Sequence, residues 1–177
     1  MSFESLGGET KWRGKIATVS VERYRHDDGA EVTREKVWHP GAVGIVALDG
    51  DRVWLTRQPR EVVGASASLE IPAGKRDVPG EPPLETAKRE LAEEIAKQAT
   101  SWEEIKAFYT SPGFSDERIW LFLATGISDC PPELAVPDED ERIEVVPWPL
   151  DRLQDAIEEC DDSKSLIALL WLSAHRR

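Results

Sequence analysis

The chain is expected to form an α/β domain: an α/β/α sandwich with a mixed sheet and helices on its faces, preceded by an N-terminal β-hairpin. Three observations predict this. Short apolar runs bounded by turn sequences recur between residues 15 and 148. One amphipathic helical pattern, residues 82–97, interrupts them. Two further helical segments close the chain after residue 149.

Residues 15–25 (KIATVSVERYR) and 31–38 (EVTREKVW) form two strands joined by the turn HDDGA, hence a hairpin. His39-Pro40-Gly41 marks a new start, dividing a region of residues 1–38 from a main domain of residues 39–177. Residues 42–48 and 52–57 make a second hairpin around Asp49-Gly50-Asp51. Ser68–Ile71 is a short strand leading into the Pro72-Ala73-Gly74 turn. The helix that follows carries Pro82 and Pro83 in its first turn, where a missing N–H costs nothing. Glu103–Thr110 and Glu117–Gly126 are two more strands, separated by Ser111-Pro112-Gly113-Phe114, and Glu141–Trp148 is another. Helices over 150–159 and 163–174 end the chain, the last so apolar around Trp171 that it belongs in a core or a dimer contact. There are no repeats. The N-terminal hairpin is either an extra edge of the main sheet or an arm that pairs with a partner subunit, because an exposed strand edge invites pairing.

Composition narrows the function. The 177 residues carry 22 Lys and Arg against 34 Asp and Glu, a net charge of −12. Nucleic-acid binding needs clustered cations, so it is not expected. Handling a small phosphate ester remains open if a metal reverses the local field. Cys130 and Cys160 lack the spacing of a zinc or redox pair, and His26, His39 and His175 are scattered. No run has the length of a signal peptide's apolar core or of a membrane span, which points to a soluble cytoplasmic protein.

The chemistry concentrates in residues 74–97, GKRDVPGEPPLETAKRELAEEIAK. Leu84, Ala87, Leu91 and Ile95 repeat at helical spacing and form an apolar stripe. Glu90, Glu93 and Glu94 share another side, where like charges three and four residues apart destabilise a bare helix. A hard divalent cation removes that penalty; Mg²⁺ takes oxygen ligands and is commonly shared between a few carboxylates and substrate phosphates. The alternative is a solvated surface helix with Lys88, Arg89 and Lys97 as ion-pair partners.

This stretch resembles the Nudix box, G-x5-E-x7-R-E-U-x-E-E-x-G-U, where U is a bulky aliphatic. Gly74, Glu81 and Arg89-Glu90-Leu91-Ala92-Glu93-Glu94 supply its fixed residues. One extra residue lies between Gly74 and Glu81, in a turn where Pro79-Gly80 can absorb it, and Ala96 and Lys97 stand where the pattern has glycine and an aliphatic. Four other segments resemble the ADP-ribose pyrophosphatase branch of that family: Arg57-Gln58-Pro59-Arg60, Leu69–Gly74 (LEIPAG), Ser111–Glu117 (SPGFSDE), and the acidic loop Asp138–Glu141 with the final helix. Pro112 lies sixteen residues beyond Ala96, the spacing that marks ADP-ribose specificity in the branch.

The resemblance implies Mg²⁺-dependent hydrolysis of ADP-ribose to AMP and ribose 5-phosphate, with Mn²⁺ as a possible substitute. It implies metal ligation by Glu90, Glu93, Glu94 and the main-chain carbonyl of Ala73. Arg57, Arg60, Glu70, Ser111 and Gly113 are then the substrate-binding candidates, although Glu70 can equally serve as an arginine's partner and Ser-Pro-Gly is first a turn. Glu139 is the leading general base, with Glu141 and Glu93 as alternatives. Arg89, with Glu81, orients the carboxylates. The branch's relatives are homodimers whose N-terminal hairpins cross to the partner, so a homodimer acting on a small nucleotide-sugar, without nucleic acid or membrane, is expected. Another nucleoside diphosphate sugar, such as GDP-mannose, is an alternative substrate. A non-catalytic nucleotide-sugar sensor is a further alternative.

Overall fold

A computed structural model describes residues 1–136 and 142–175. The chain forms two compact units, Met1–Gly41 with Phe108–Arg118, and Ala42–Ala107 with Ile119–Arg177.

The first unit holds a three-stranded antiparallel sheet of β1 (Phe3–Arg13), β2 (Thr18–His26) and β3 (Glu31–Trp38), in that order. The sequence reading found β2 and β3 but not β1. That strand contains Gly7-Gly8 and little apolar alternation, and its pairing with β2 slips between Ser5 and Gly8 and again between Thr10 and Trp12. Gly7 takes φ +85°, which a strand of ordinary residues would not tolerate, so the irregularity that hides β1 is built from glycine. The loop after residue 110 belongs to this unit too. Ser111 O accepts from the N–H groups of Phe114 and Ser115 at 3.1 and 2.8 Å, closing the Ser-Pro-Gly turn. Val37 of β3 donates to Phe114 O at 2.8 Å and accepts from Asp116 at 3.2 Å.

The second unit is built on a mixed sheet. Its strands are β4 (Ala42–Asp49), β5 (Arg52–Arg60), β6 (Ala65–Glu70), β7 (Ala73–Lys75), β8 (Lys97–Tyr109), β9 (Arg118–Asp129) and β10 (Glu144–Pro149). The order is β10-β5-β4-β9-β8, with β6 paired to β5 and β7 to β4. β4 runs parallel to β9 and antiparallel to β5 and β7, and β5 is antiparallel to β10 and β6, which makes the sheet mixed as expected. The helices are α1 (Pro83–Ile95), α2 (Leu153–Glu159) and α3 (Ser163–His175). Val43, Ile45 and Ala47 alternate along β4 and pack with Phe122 and Ala124 of β9 against Ala87, Leu91 and Ile95 of α1. The expected helical stripe is therefore the core face of α1, with Leu84 packed at its edge. α3 also contacts β4 and buries Ala168, Leu169 and Leu172. Helices on the sheet give the α/β class that the sequence predicted. Among the described residues no helix is long and apolar enough to cross a membrane.

The boundaries differ from expectation at the end of α1. β8 begins at Lys97, well before residue 103, because the chain reverses at Ala96. Ala96 is the one non-glycine residue with positive φ (54°, ψ 37°) among those described, at the position where the box pattern has glycine. Its N–H still closes the helix onto Ala92 O and Leu91 O. The following Lys97 replaces an aliphatic by laying its ammonium 4.6 Å from the Trp54 ring centroid while pairing with Asp129. A left-handed alanine costs about 1–2 kcal/mol, part of which glycine gives back through unfolded-state entropy. Ala96→Gly is expected to stabilise the protein by about 0.5–1 kcal/mol, read as a rise of a few degrees in thermal midpoint. A lower midpoint would contradict this.

Candidate functional site

The site begins with how α1 faces β7. Glu90 and Glu94, one helical turn apart, are 8% and 7% exposed despite their charge. Such burial is costly for carboxylates without partners. Glu94 Oε2 accepts the Ala73 N–H at 2.9 Å. The Glu90 carboxyl lies against the backbone of Gly74, where an added Cβ would sit 1.9 Å from its Cδ. Gly74 is therefore required for close approach: any side chain there would displace the carboxylate.

Arg89 is the hub of the acidic face. Its Nη1 reaches Glu90 Oε1 at 2.9 Å and Glu93 Oε2 at 2.7 Å, and its Nη2 reaches Glu81 Oε2 at 3.3 Å and Asp77 Oδ1 at 3.6 Å. Burial works against the charged guanidinium, but bonds to Glu81 and the charges of Glu90 and Glu93 outweigh it and hold its pKa above the ordinary value. Glu81 is in turn held by the Thr86 hydroxyl at 2.8 Å. Burial would raise its pKa, but the bonds from Thr86 and Arg89 win and lower it. The expected orienting pair of Arg89 and Glu81 is thus present. The extra residue before Glu81 is absorbed in a turn in which Glu81 donates to Val78 O at 3.2 Å.

The donor set suits a hard cation in kind: carboxylate oxygens on α1 lie close against the main chain of β7, which they approach because Gly74 has no side chain. Among the described residues, however, no three ligating side chains already converge on one point. Glu93 is turned onto Arg89, so its side chain would have to leave that guanidinium to join Glu90 and Glu94. Glu90, Glu94 and Ala73 would hold the ion, with Glu93 as a further candidate; Glu90 and Glu93 both pair with Arg89 Nη1, at 2.9 and 2.7 Å, so each would exchange that guanidinium for the ion.

A second polar cluster lies on β5, β6 and α3. Glu70 is 1% exposed and takes a two-pronged bond from Arg60, Nε and Nη2 each at 2.7 Å from its oxygens. Lys164 Nζ approaches Glu70 Oε2 at 2.6 Å. Burial alone would raise the Glu70 pKa, but the Arg60 bonds and the Lys164 charge overcome it and bring it down to about 2. Arg60 and Glu70, two substrate candidates, are thus bonded to each other. Arg57 pairs with Glu159 of α2. Ser111 and Gly113 belong to the first unit. Glu139 and Glu141 lie outside the described residues. Sequence reasoning missed Lys164, Asp162 and Ser165, which a separation of more than ninety residues from Glu70 and Ile71 conceals. The one available signal was the Asp162-x-x-Ser165 spacing, suited to a helix start.

The NUDIX domain profile matches residues 38–170. An ADP-ribose pyrophosphatase of Mycobacterium tuberculosis is 43% identical over 128 residues, covering 72% of this chain and 61% of its own length. This chain thus spans about three-fifths of the mycobacterial protein. An ADP-ribose pyrophosphatase of Bacillus subtilis is 37% identical over 172 residues, covering 96% of this chain and 91% of its own. The crystal structure of an ADP compounds hydrolase matches with a TM-score of 0.83 at 26% identity, over 100% of this chain and 97% of that one.

Proposed function

Because the chain belongs to the Nudix family and is a pyrophosphohydrolase of that family, we propose that it hydrolyses the pyrophosphate bond of ADP-ribose to AMP and ribose 5-phosphate, with Mg²⁺ as its metal. The observation that carries this reading is the pair of buried carboxylates, Glu90 and Glu94, set against the β7 main chain within a box of the family's pattern. When bound, the divalent ion lowers the pKa of a water and offsets charge on the diphosphate. Glu90, Glu94 and the Ala73 carbonyl would hold it, with Glu93 as the further ligand candidate; Arg89 and Glu81 keep the acidic face of α1 in order. Glu139 takes the proton of the attacking water, with Glu141 and Glu93 as the other candidates. Arg57 and Arg60 are the substrate-binding candidates beside the main sheet; each already holds an acidic partner, Glu159 and Glu70, which a substrate phosphate would have to displace. Water adds across one P–O–P bond, so two phosphomonoesters leave and no other reactant is consumed.

The relative named as an ADP compounds hydrolase favours a second reading, in which another nucleoside diphosphate derivative is cleaved by the same site. The acidic helix addresses only metal and diphosphate, so it does not separate the two. Incubation with Mg²⁺ or Mn²⁺ and a panel of nucleoside diphosphate sugars, with chromatography of products, decides between them. AMP and ribose 5-phosphate formed fastest from ADP-ribose support the first reading; faster cleavage of GDP-mannose or another member replaces it. Action in the cytoplasm as a homodimer is part of the proposal. Phe3, Trp12 and Ile16 are more than half exposed on or beside the N-terminal sheet, which supports an arm that meets a second copy. Sedimentation of the intact chain as a monomer at micromolar concentration would remove the dimer from the reading.

A further inference from the structure

We infer that Ser165, at the head of α3, is a positioning residue for the metal site: its hydroxyl sets the segment Glu70–Ala73 and thereby the direction in which the Ala73 main chain meets Glu94. The inference rests on the reading of Glu90, Glu94 and Ala73 as the metal-holding groups.

The link between β6 and β7 is only Ile71 and Pro72. Proline has no N–H, so the Ile71 N–H is the one main-chain donor within this link. Ile71 and Ser165 are both fully buried, and the Ile71 N–H donates to Ser165 Oγ at 2.9 Å. A hydroxyl has a single proton to give, and Ser165 donates it to Asp162 Oδ2 at 2.5 Å. The oxygen is therefore left with its lone pairs toward Ile71. Asp162 Oδ2 also accepts the Ser165 N–H and the Lys164 ammonium, each at 2.9 Å, so the acceptor that orients the hydroxyl is itself held.

Two peptides of the link are held at both the carbonyl and the N–H. In the Glu70–Ile71 peptide the carbonyl accepts from the Thr56 hydroxyl at 3.4 Å and the N–H goes to Ser165. In the Pro72–Ala73 peptide the carbonyl accepts from the Ile45 N–H at 2.8 Å and the N–H goes to Glu94. The fixed φ of Pro72 leaves one fewer soft torsion between the two peptides. If the Ser165 hydroxyl is lost, a buried N–H must find another acceptor, and the first peptide turns to reach it. The rotation passes through Pro72 into the peptide that faces Glu94. α3 thus sets the geometry of a metal site to which it contributes no ligand, as outer partners of a metal site commonly do.

The test is Mn²⁺ binding to the intact protein without substrate, followed by electron paramagnetic resonance. Ser165→Ala is expected to raise the Mn²⁺ dissociation constant by about 10- to 100-fold, and Ser165→Thr, which keeps the hydroxyl, to restore it. The Mg²⁺ concentration for half-maximal rate should rise with it, while the substrate KM at saturating metal stays unchanged. A lower thermal midpoint with an unchanged Mn²⁺ constant would overturn the inference, because that is what a packing role alone produces. If Ser165→Ala does not fold, Ser165→Cys keeps a side chain in the same place but offers Ile71 only a weak acceptor, and is expected to weaken Mn²⁺ in the same direction; an unchanged constant there overturns the inference too. Failure of the unsubstituted protein to bind Mn²⁺ would instead refute the metal site itself.

Discussion

Glu94→Gln is expected to reduce turnover by at least about 10²-fold while leaving the fold intact. The two effects separate because of where Glu94 sits. Its Oε2 accepts the Ala73 N–H at 2.9 Å, and a glutamine carbonyl oxygen can accept the same bond without change of shape. The helix therefore keeps its seat on β7. What glutamine does not supply is the negative charge that a divalent ion needs from a carboxylate only 7% exposed to water. The measurement is kcat at saturating Mg²⁺ together with a thermal melt of the same preparation. A near-normal rate would take Glu94 out of the metal site; a collapsed melt would make it a structural residue instead.

Glu70→Ala is expected to be strongly destabilising, by about 3 kcal/mol. Truncation leaves Lys164, whose side chain is 14% exposed, with one of its two carboxylate partners and removes both bonds from Arg60. The pH dependence gives a second reading of the same interaction. The Glu70 pKa falls from an ordinary 4.5 to about 2 in the folded protein, so the unfolded chain binds the proton more readily. The contribution of the carboxylate is complete above pH 4.5 and fades as the pH falls toward 2. In urea titrations the gap between parent and Glu70→Ala should therefore be constant at neutral pH and narrow through that acid window. A gap that does not narrow would mean that Glu70 acts through packing rather than charge.

How far the sequence revealed this site depends on whether its parts are local. The acidic helix was legible because its core stripe (Ala87, Leu91, Ile95) and its acids lie within a few turns, where helical spacing predicts which residues share a side. The same locality exposed Arg89 as the partner of its own helix. The burial of Glu90 and Glu94 was not legible, since it comes from β7 folding back on α1, and a strand of three residues leaves no periodic trace. The Glu70 cluster was only half visible. The residues allow an unspecified arginine as its partner, a place that Arg60, ten residues away on a neighbouring strand, fills, whereas Lys164, ninety-four residues away, has no local signature. β1 was lost for a different reason: its glycines break the alternation by which a strand is recognised.

The guanidinium at the centre of the acidic face has a bearing on handling the protein. Arg89 acts as a resident counter-ion, so the helix does not rely on an added divalent cation to neutralise its carboxylates. The chain should survive purification through EDTA with its melting curve nearly unaltered and regain full activity on readdition of magnesium. Demetallation would then act as a reversible off-switch rather than a route to aggregation.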